Sequence, residues 1–462
     1  MPTPRPDIVL VVVDDLGWRD LGHTGSTFYE TPNIDALARE GIRFSQAYAA
    51  APVCSPSRAS LMTGRYPARV GITQYIGGQS VGRLQDVPYF HGLPENEFSL
   101  ARALRAGGYR TWHVGKWHLG SRQHWPDHHG FEVNIGGCNM GSPHTYWSPY
   151  GIPTLTDGPE GEYLTDRLTD EAIQLVRESD PDEPFFLNLW HYAVHIPIEA
   201  PADLVEKYTK KAEQLGLPMD ELEPGEPMSP WHLSGQLVRR RRIQSHPGYA
   251  AMIENLDHNV GRLVAALEES GRLENTLFVL TSDNGGLATA EGSPTSNFPL
   301  SEGKGWMQDG GVRVPFLVCW RGRIAPGSES DAVFTSPDLY PTLLAAAGLA
   351  PMPEQHVDGV DVLPQWLGGP GERGPIFWHY PHYSNQGGTP GAAVRDGRWK
   401  LIRWFEDGTE ELFDLEADLG ETTDLARTHP EVRARLSALL DRWSDDVLAV
   451  RPTPNPRSRF TD

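Results

Sequence analysis

Cysteine, positive net charge, long apolar runs and internal repeats are scarce or missing in this chain. Only 3 of its 462 residues are cysteine, an odd and sparse set that indicates no disulfide framework. No sequence repeat is present, which excludes solenoid and fibrous architectures. With 40 basic against 61 acidic residues, the formal net charge is −21. Such a field repels nucleic acid and anionic membrane surfaces, so neither is expected as a partner.

The longest apolar run, Ile8 to Val13, is far shorter than the roughly 20 residues that a transmembrane helix needs. Met1 to Pro6 shows no hydrophobic signal segment. We therefore expect a cytoplasmic protein without a membrane partner, unless a leader was removed. The one basic run, Arg239 to Arg242, is expected to be a solvated surface stretch.

The apolar pattern alternates between strand-like and helix-like segments, which predicts an α/β fold. The predicted strands include Ile8–Val13, Tyr109–Val114, Phe185–Trp190 and Thr276–Leu280. The predicted helices include Ser99–Ala106, Leu164–Glu178 and Gly248–Ser270. We expect a large, mixed but mostly parallel sheet sandwiched by helices, in a domain of residues 1–374.

From about Pro375 the pattern changes to short strands joined by Asp-Gly turns, as around Trp399–Trp404. This predicts a smaller α+β subdomain of residues 375–462, in which the helix Pro430–Val447 covers an antiparallel sheet. The proline-bearing tail Arg451–Asp462 is expected to be loose. Residues 201–247, rich in Pro, Glu and Gly, are expected to form a long surface excursion with loops.

Polar residues directly follow two of the predicted strands. Asp14 and Asp15 follow the first strand, and Asp283 and Asn284 follow the strand that starts at Thr276. In open α/β sheets, ligands bind beyond the carboxyl ends of the strands, so these side chains can converge. Oxygen donors suit Ca²⁺ or Mg²⁺ better than zinc. Taken alone, either pair is more typical of an ordinary turn or helix cap.

A second, cationic set comprises Arg58, Lys116, His118, His195 and Lys304. An arginine fork and lysine point charges are what an oxyanion requires, so their charge predicts a sulfate or phosphate ester as substrate. Lys116 taken alone is also compatible with a surface residue, and His195 with a buried core histidine. The co-occurrence of all five favours a functional site.

The segment Cys54-Ser-Pro-Ser-Arg-Ala-Ser-Leu-Met-Thr-Gly-Arg65 resembles the signature of type I sulfatases of the alkaline phosphatase superfamily. That signature is Cys-x-Pro-x-Arg followed by Leu-x-Thr-Gly-Arg. The resemblance continues in the family's order through Asp14-Asp15, Gly115 to Gly120, His195-x-Pro197, Asp283-Asn284-Gly285, Lys304-Gly305 and Gly310 to Pro315. Asp309 is a departure, because many members carry Glu at that position.

This resemblance implies a formylglycine-dependent sulfatase. In that family a formylglycine-generating enzyme oxidises the signature cysteine to Cα-formylglycine, and Cys54 is the matching position. The aldehyde hydrates to a gem-diol, one hydroxyl attacks the sulfur of the ester, and the other drives release of sulfate. A thiol or a serine lacks the second hydroxyl.

The resemblance also implies roles for the remaining residues. The implied Ca²⁺ ligands are Asp14, Asp15, Asp283 and Asn284, with Mg²⁺ as the less favoured ion. Arg58 would stabilise the diol, while Lys116 and Lys304 would bind the sulfate oxygens. Asp283 would help to deprotonate the attacking hydroxyl. His118 would take the remaining hydroxyl proton, and His195, with Lys304, would contact the substrate and assist the departing alkoxide.

The sequence therefore predicts a sulfatase for a glycan or small-molecule sulfate ester, and leaves the oligomeric state open. An exo-acting carbohydrate sulfatase is favoured, because Tyr146–Tyr150 and Glu162–Arg167 resemble segments of glycan-acting members. The enzymatic alternatives are an arylsulfatase and a phosphonate monoester or phosphodiester hydrolase of the same superfamily. The non-enzymatic alternative is a catalytically dead sulfoglycan-binding protein, which requires an unmodified Cys54.

Overall fold

The computed structural model describes residues 5–458 of the protein and forms three sheets with surrounding helices. The strands are β1 Asp7–Val13, β2 Ile42–Tyr48, β3 Arg110–Gly115, β4 Val133–Ile135, β5 Phe185–His191, β6 Glu223–Pro227, β7 Leu237–Arg240, β8 Thr276–Ser282, β9 Phe316–Cys319, β10 Ser328–Thr335, β11 Ile376–Tyr380, β12 Gly391–Asp396, β13 Trp399–Trp404 and β14 Glu410–Asp414. The α-helices are α1 Pro32–Glu40, α2 Cys54–Thr63, α3 Pro67–Val70, α4 Leu100–Ala106, α5 Leu164–Glu178, α6 Ala202–Leu215, α7 Pro247–Glu269, α8 Asp309–Val312, α9 Leu339–Ala346, α10 Leu363–Trp366 and α11 Pro430–Asp446.

The largest sheet has eight strands in the order β10-β2-β9-β8-β1-β5-β3-β4. β1 lies near its middle and pairs in parallel with both β5 and β8. β9 is antiparallel to its neighbours β2 and β8, and the remaining pairs are parallel. The predicted mixed, mostly parallel sheet is therefore confirmed.

Helices cover both faces of the eight-stranded sheet. Val9, Val11 and Val13 of β1 lie in the apolar layer shared with α1, α5, α6 and α7. Ile8 and Leu10 lie in the opposite layer, shared with α2, α4, α9 and α10, as the two-residue period of a strand requires. Among residues 5–458, no helix is both long enough and apolar enough to cross a membrane.

A second sheet is antiparallel, with the strand order β11-β12-β13-β14. α11 covers one of its faces, where the Trp443 ring stacks on Phe377 with the ring centroids 4.8 Å apart. The other face, including Trp378, packs on the large domain beside Val53. The predicted smaller α+β subdomain is confirmed, and its docked face lies next to the segment that leads into α2.

A buried cluster of charges connects the two sheets. Lys400 Nζ lies 2.7 Å from Asp309 Oδ1 and 2.9 Å from Glu421 Oε1. The Tyr48 hydroxyl donates to Asp309 Oδ2 at 2.8 Å and accepts a hydrogen bond from Arg395 at 2.7 Å. Separating α8 from β13 would leave buried charges without their partners, which is strongly unfavourable. The cluster therefore holds α8 against β13.

The tail that the sequence predicts to be loose is docked over part of its length. Asn455 is buried, and its backbone N–H donates to Arg83 O at 2.8 Å. Its side-chain Nδ2 donates to Gly82 O at 3.0 Å. The prediction is wrong for this segment, because backbone carbonyls of the large domain bind its polar groups. Residues 459–462 of the tail lie outside the described residues.

The surface excursion at residues 201–247 is more ordered than the sequence predicts, because it contains α6 and the two-stranded sheet of β6 and β7. Its basic run is also less exposed. Arg241 is buried and donates from Nε to Ser293 O at 2.5 Å, while Arg240 lies 2.8 Å from Glu302. The prediction of a solvated run is wrong for Arg241, since protein acceptors replace water around its guanidinium.

The buried Glu421 makes stability dependent on pH. Burial raises the pKa of Glu421 from 4.5 to about 7, and Asp309 adds to the rise while Lys400 opposes it. Between these values the folded state holds a proton that the unfolded state has released, so the free energy of unfolding falls as the pH rises. Between pH 5 and pH 8, we expect the free energy of unfolding to fall by about 1–3 kcal/mol more for the wild type than for Glu421→Gln.

Urea denaturation at a series of pH values measures this difference. Glu416→Gln is the matched control, because its carboxylate is mostly exposed and its removal should leave the pH dependence unchanged. Parallel pH curves for the wild type and Glu421→Gln would contradict the assignment.

Candidate active site

The carboxyl ends of β1 and β8 bring four oxygen-bearing side chains together. The two strands are parallel neighbours in register, so Asp14 and Asp15 emerge beside Asp283 and Asn284. The Asp15 N–H donates to Asp283 Oδ1 at 3.2 Å, and Asn284 Nδ2 donates to Asp15 Oδ1 at 2.8 Å. All four residues are at most 1% exposed. The sequence predicts that these side chains converge at one edge of the sheet, and the structure brings them together there.

Cys54 and Arg58 lie four residues apart on α2 and therefore on one face of that helix. Cys54 is the first helical residue, and every residue of α2 is buried. Arg58 Nε donates to Asp283 Oδ2 at 2.8 Å, and its Nη2 lies 3.5 Å from Asp14 Oδ1. The guanidinium thus bridges the two strand ends, and its carbon lies 5.0 Å from the centroid of the Trp190 ring.

Two lysines pair with the remaining carboxylate oxygens. Lys116, which follows β3, donates from Nζ to Asp14 Oδ2 at 2.5 Å. Lys304 donates from Nζ to Asp15 Oδ2 at 2.8 Å. Both lysines are buried, so their charges have protein carboxylates in place of water.

The three carboxyl groups differ in their titration because their surroundings differ. Burial raises the pKa of Asp14 well above its usual value, and Lys116 offsets only part of the rise. Burial also opposes ionisation of Asp15, but Lys304 lowers the pKa of that carboxyl below its usual value. Asp283 is similar, because Arg58 and Lys116 hold its pKa below the usual range despite burial. Arg58, Lys116 and Lys304 therefore determine how readily the carboxylates ionise.

His118 faces the side chain of Cys54. Its Nδ1 lies 3.2 Å from Cys54 Sγ, and its Nε2 lies 3.1 Å from Ile76 O. A carbonyl oxygen only accepts, so Nε2 carries the hydrogen and Nδ1 is left as an acceptor toward residue 54. Burial, followed by the charge of Lys116, lowers the pKa of His118 well below its usual value. A neutral base thus points at Cys54.

His195 lies on the other side of Asp15, in the segment after β5. Its Nδ1 lies 2.9 Å from Ile196 O, and its Nε2 lies 3.6 Å from Asp15 Oδ2. Burial and then the nearby Lys304 lower the pKa of His195 to about 3. The imidazole is therefore neutral, and because Nδ1 donates to the Ile196 carbonyl, its unprotonated Nε2 faces the carboxylate.

Backbone geometry fixes the loops that carry these groups. Asp15 and His118 have φ values of 61° and 55°, in the left-handed region that non-glycine residues rarely adopt. Gly285, next to Asn284, approaches α8 so closely that a Cβ would lie 1.9 Å from Gly310 O. Such strain persists only where the surrounding structure holds it, which is typical of functional sites.

A cavity of about 290 Å³ opens above this cluster. Cys54, His118, His195 and Lys304 line it. The other predicted site residues are not among its lining residues, namely Asp14, Asp15, Arg58, Lys116, Asp283 and Asn284. The other lining side chains are Tyr75, Ile76, Asn139, Ser142, Ile196, Glu291, Asn385 and Gln386. Sequence reasoning missed these residues, since they come from loops without a motif.

The aromatic segments that resemble those of glycan-acting proteins do not line this cavity. The Tyr146 hydroxyl donates to His195 O at 2.8 Å, and the Tyr163 hydroxyl donates to Glu199 O at 2.7 Å. Both rings are buried and stack on each other with centroids 5.6 Å apart. They support the segment that carries His195, and their faces are not free for a sugar ring.

The donor set after β1 and β8 fits a hard cation. Within residues 5–458, Asp14 Oδ1 and Asn284 Oδ1 are buried without a hydrogen-bond partner, and such oxygens in native structures require an explanation. A bound cation would satisfy both, and carboxylate with amide oxygens is the ligand chemistry of Ca²⁺. Ligand atoms of Asp14, Asp15 and His195 also lie within 4.8 Å of one another.

Comparison with known proteins gives consistent matches over nearly the whole chain. The sulfatase family model matches residues 6–349, and the model for the C-terminal region of N-sulphoglucosamine sulphohydrolase matches residues 302–445. N-acetylgalactosamine-6-sulfatase of Mus musculus is 32% identical over 93% of this chain and 79% of its own length. Arylsulfatase G of Canis lupus familiaris is 31% identical, covering 99% of this chain and 88% of its own.

Solved structures show the same similarity. The crystal structure of Ps i-CgsB in complex with k-i-k-neocarrahexaose superposes with a TM-score of 0.77 at 30% sequence identity. The match covers 96% of this chain and 93% of the other. The fold, the geometry of the site and the sequence similarity therefore all indicate the same family of proteins.

Proposed function

The chain belongs to the sulfatase family and is a sulfuric ester hydrolase, and from this premise we propose that it removes sulfate from a sulfated carbohydrate, acting at a chain end, with Ca²⁺ and a formylglycine at position 54. The observation that carries the proposal is the position of Cys54. Its side chain lies in the cavity wall, 3.2 Å from a neutral His118, at the first position of α2.

A formylglycine at this position would supply, once hydrated, an oxygen nucleophile and a second hydroxyl to expel sulfate. The chain's own residues prepare that position. Arg58 lies one helical turn along α2 and is anchored by Asp283, so its charge is fixed close to residue 54. His118 Nδ1 is free to accept a proton from a hydroxyl on residue 54.

A bound Ca²⁺ would supply Lewis-acid stabilisation of the ester oxygens. The residues that would hold it are Asp14, Asp15, Asp283 and Asn284. Asp283 would in addition assist deprotonation at residue 54, because its lowered pKa keeps it ionised at neutral pH. Lys116 and Lys304 would neutralise the sulfate oxygens, and both are held close to the carboxylate cluster by ion pairs.

Departure of the sugar oxygen requires a proton, since an alkoxide is a poor leaving group. Lys304 holds its proton, because Asp15 raises the pKa of the ammonium although burial opposes this. The lowered pKa of His195 keeps its imidazole neutral at neutral pH, but the negative charge of a bound ester would favour its protonated form. We assign the assisting role to His195 together with Lys304.

The names of the relatives support a sugar as substrate. N-acetylgalactosamine-6-sulfatase acts, by its name, on a sulfated hexosamine, and Ps i-CgsB was solved with a neocarrahexaose. The cavity of about 290 Å³ is at the small end for ligand pockets, which supports binding of one terminal sugar. Turnover of sulfated monosaccharides, an aryl sulfate and a phosphonate monoester would separate the proposed function from its enzymatic alternatives.

Conversion of Cys54 can be tested directly. When the protein is produced beside a formylglycine-generating enzyme, the tryptic peptide that contains Cys54 should carry formylglycine by mass spectrometry. Cys54→Ala should abolish turnover while the thermal unfolding midpoint stays close to that of the wild type, because the side chain is small and its role is chemical. A fully active preparation with only unmodified cysteine would refute the mechanism.

Calcium should stabilise the folded protein, because it neutralises carboxylates that otherwise repel one another in a buried region. Removing it with a chelator should lower the thermal unfolding midpoint of the wild type, and calcium should restore it. Asp283→Asn should lose most of the calcium affinity measured by titration calorimetry. Asp331→Asn changes an exposed carboxylate and is the control. Wild-type calcium affinity in Asp283→Asn would show that the ligand assignment is incorrect.

The leaving-group role of His195 predicts a selective loss. His195→Ala should slow sugar sulfates at least about tenfold more than 4-nitrophenyl sulfate, since a nitrophenolate hardly needs a proton. Arg58→Ala should slow both classes similarly, because it acts on the nucleophile common to both. The measurement is kcat/KM across leaving groups of different pKa. An unchanged dependence on leaving-group pKa would remove His195 from this role and leave Lys304.

A further inference from the structure

The cavity contains one acidic lining residue among those that the structure describes. Glu291 lies in the loop after β8 and shares the cavity wall with Lys304, Asn385 and Gln386. Its presence is unexpected in a site built to attract a sulfate ester, because a carboxylate repels any anion that approaches it.

The Glu291 carboxylate is held in position but is largely unused by the protein. Gln386 Nε2 donates to Glu291 Oε2 at 3.0 Å and is its single hydrogen-bond donor within residues 5–458. Gln386 is itself fixed, because its Oε1 accepts from Ser384 at 2.6 Å and its carbonyl accepts from Trp306 at 2.8 Å. A carboxylate accepts about four hydrogen bonds, so most of its capacity remains available to a ligand.

The side-chain amide of Asn385, which lines the same cavity, offers less hydrogen-bonding capacity to a ligand. Asn385 Nδ2 donates to the Tyr75 hydroxyl at 2.6 Å, and Asn385 Oδ1 lies 2.9 Å from His232 Nε2. Both ends of this amide are therefore occupied by the protein. Among the polar side chains that the structure describes on this part of the wall, Glu291 therefore has the most acceptor capacity to spare.

The backbone at Glu291 is strained and braced. Its φ is 54°, which a non-glycine residue rarely adopts without a reason. The adjoining segment is tied to the excursion that contains β7, because Arg239 N–H donates to Thr289 O at 2.9 Å and Arg241 Nε donates to Ser293 O at 2.5 Å. The fold therefore keeps the charged side chain of Glu291 at the cavity, although the backbone conformation at this residue is strained.

The charge of Glu291 acts within the cavity. It contributes to the rise of the Tyr75 pKa to about 12, of which burial is the main cause. Lys304 and Glu291 line the same cavity of about 290 Å³, so a ligand bound there meets both charges. A substrate whose sulfate lies at Lys304 places its neighbouring ring substituents in the field of Glu291.

We propose that Glu291 determines substrate specificity: its carboxylate accepts hydrogen bonds from hydroxyl or N–H groups of the sugar and disfavours a sugar ring that carries a second anionic group in addition to the sulfate ester. This inference rests on the proposed function. It names the substrate class as sulfated sugars whose other ring substituents are uncharged, because a second sulfate or a carboxylate on the same ring would meet like charge there.

The test compares two substrates that differ in one charge. N-acetylhexosamine 6-sulfates of the gluco and galacto series are assayed beside their N-sulfo counterparts, with 4-nitrophenyl sulfate as a reference. The wild type should prefer the N-acetyl form. Glu291→Gln keeps the shape and loses the charge, so the ratio of kcat/KM for the N-sulfo over the N-acetyl form should rise about tenfold.

Glu226→Gln is the matched control, because it removes the same charge from a residue of β6 that does not line the cavity, and it should leave the ratio unchanged. Dissociation constants for the same sugars, measured in the Cys54→Ala background with and without Glu291→Gln, should shift in the same direction.

The outcomes separate the two proposals. If the wild type cleaves the sugars and Glu291→Gln leaves the ratio within about twofold of the wild-type value, the assignment of Glu291 is wrong while the proposed function stands. If the wild type cleaves the aryl sulfate but neither sugar, the proposed substrate is wrong and the assignment of Glu291 falls with it.

Discussion

The structure depends on the balance of charge in a region that excludes water. Asp14, Asp15 and Asp283 supply three carboxyl groups, and Arg58 with two lysines supplies three positive charges, all nearly fully buried. Such an arrangement is stable only if every charge has a partner at short distance. A divalent cation in the same cluster would add two positive charges, which a bound sulfate ester would partly offset. Binding of the divalent cation would therefore make the site attract an anion.

The fold satisfies this constraint by joining elements that are distant in sequence. β1 and β8 deliver the carboxylates because they are adjacent parallel strands, α2 delivers Arg58, and the loop after β3 delivers Lys116. The C-terminal sheet supports the same region from outside, since it packs beside Val53, the residue before α2. Asp309, where the resembling family often has Glu, reaches its partner Lys400 at 2.7 Å, so the shorter side chain keeps the buried contact.

Much of this arrangement could be predicted from the sequence, because local rules determine it. The period of the apolar residues predicted the layers of the fold, and the polar residues that follow two of the predicted strands were expected to converge at one edge of the sheet. The residues of the cavity wall could not be predicted in this way. Glu291 and Gln386 are 95 positions apart and meet only because the small sheet docks on the large domain. The docking of Asn455 and the burial of Arg241 were missed for the same reason, since both depend on carbonyl acceptors supplied by distant loops.

The burial of α2 has a consequence for the order of events during biosynthesis. All ten residues of this helix are buried, and Cys54 is 3% exposed, at the wall of a cavity that admits a small ligand. In the folded domain the Cys54 side chain is reached through that cavity. Under the proposed function, an enzyme that oxidises Cys54 would have readier access to the residue before the domain has folded around α2. Faster folding would then leave less time for this modification.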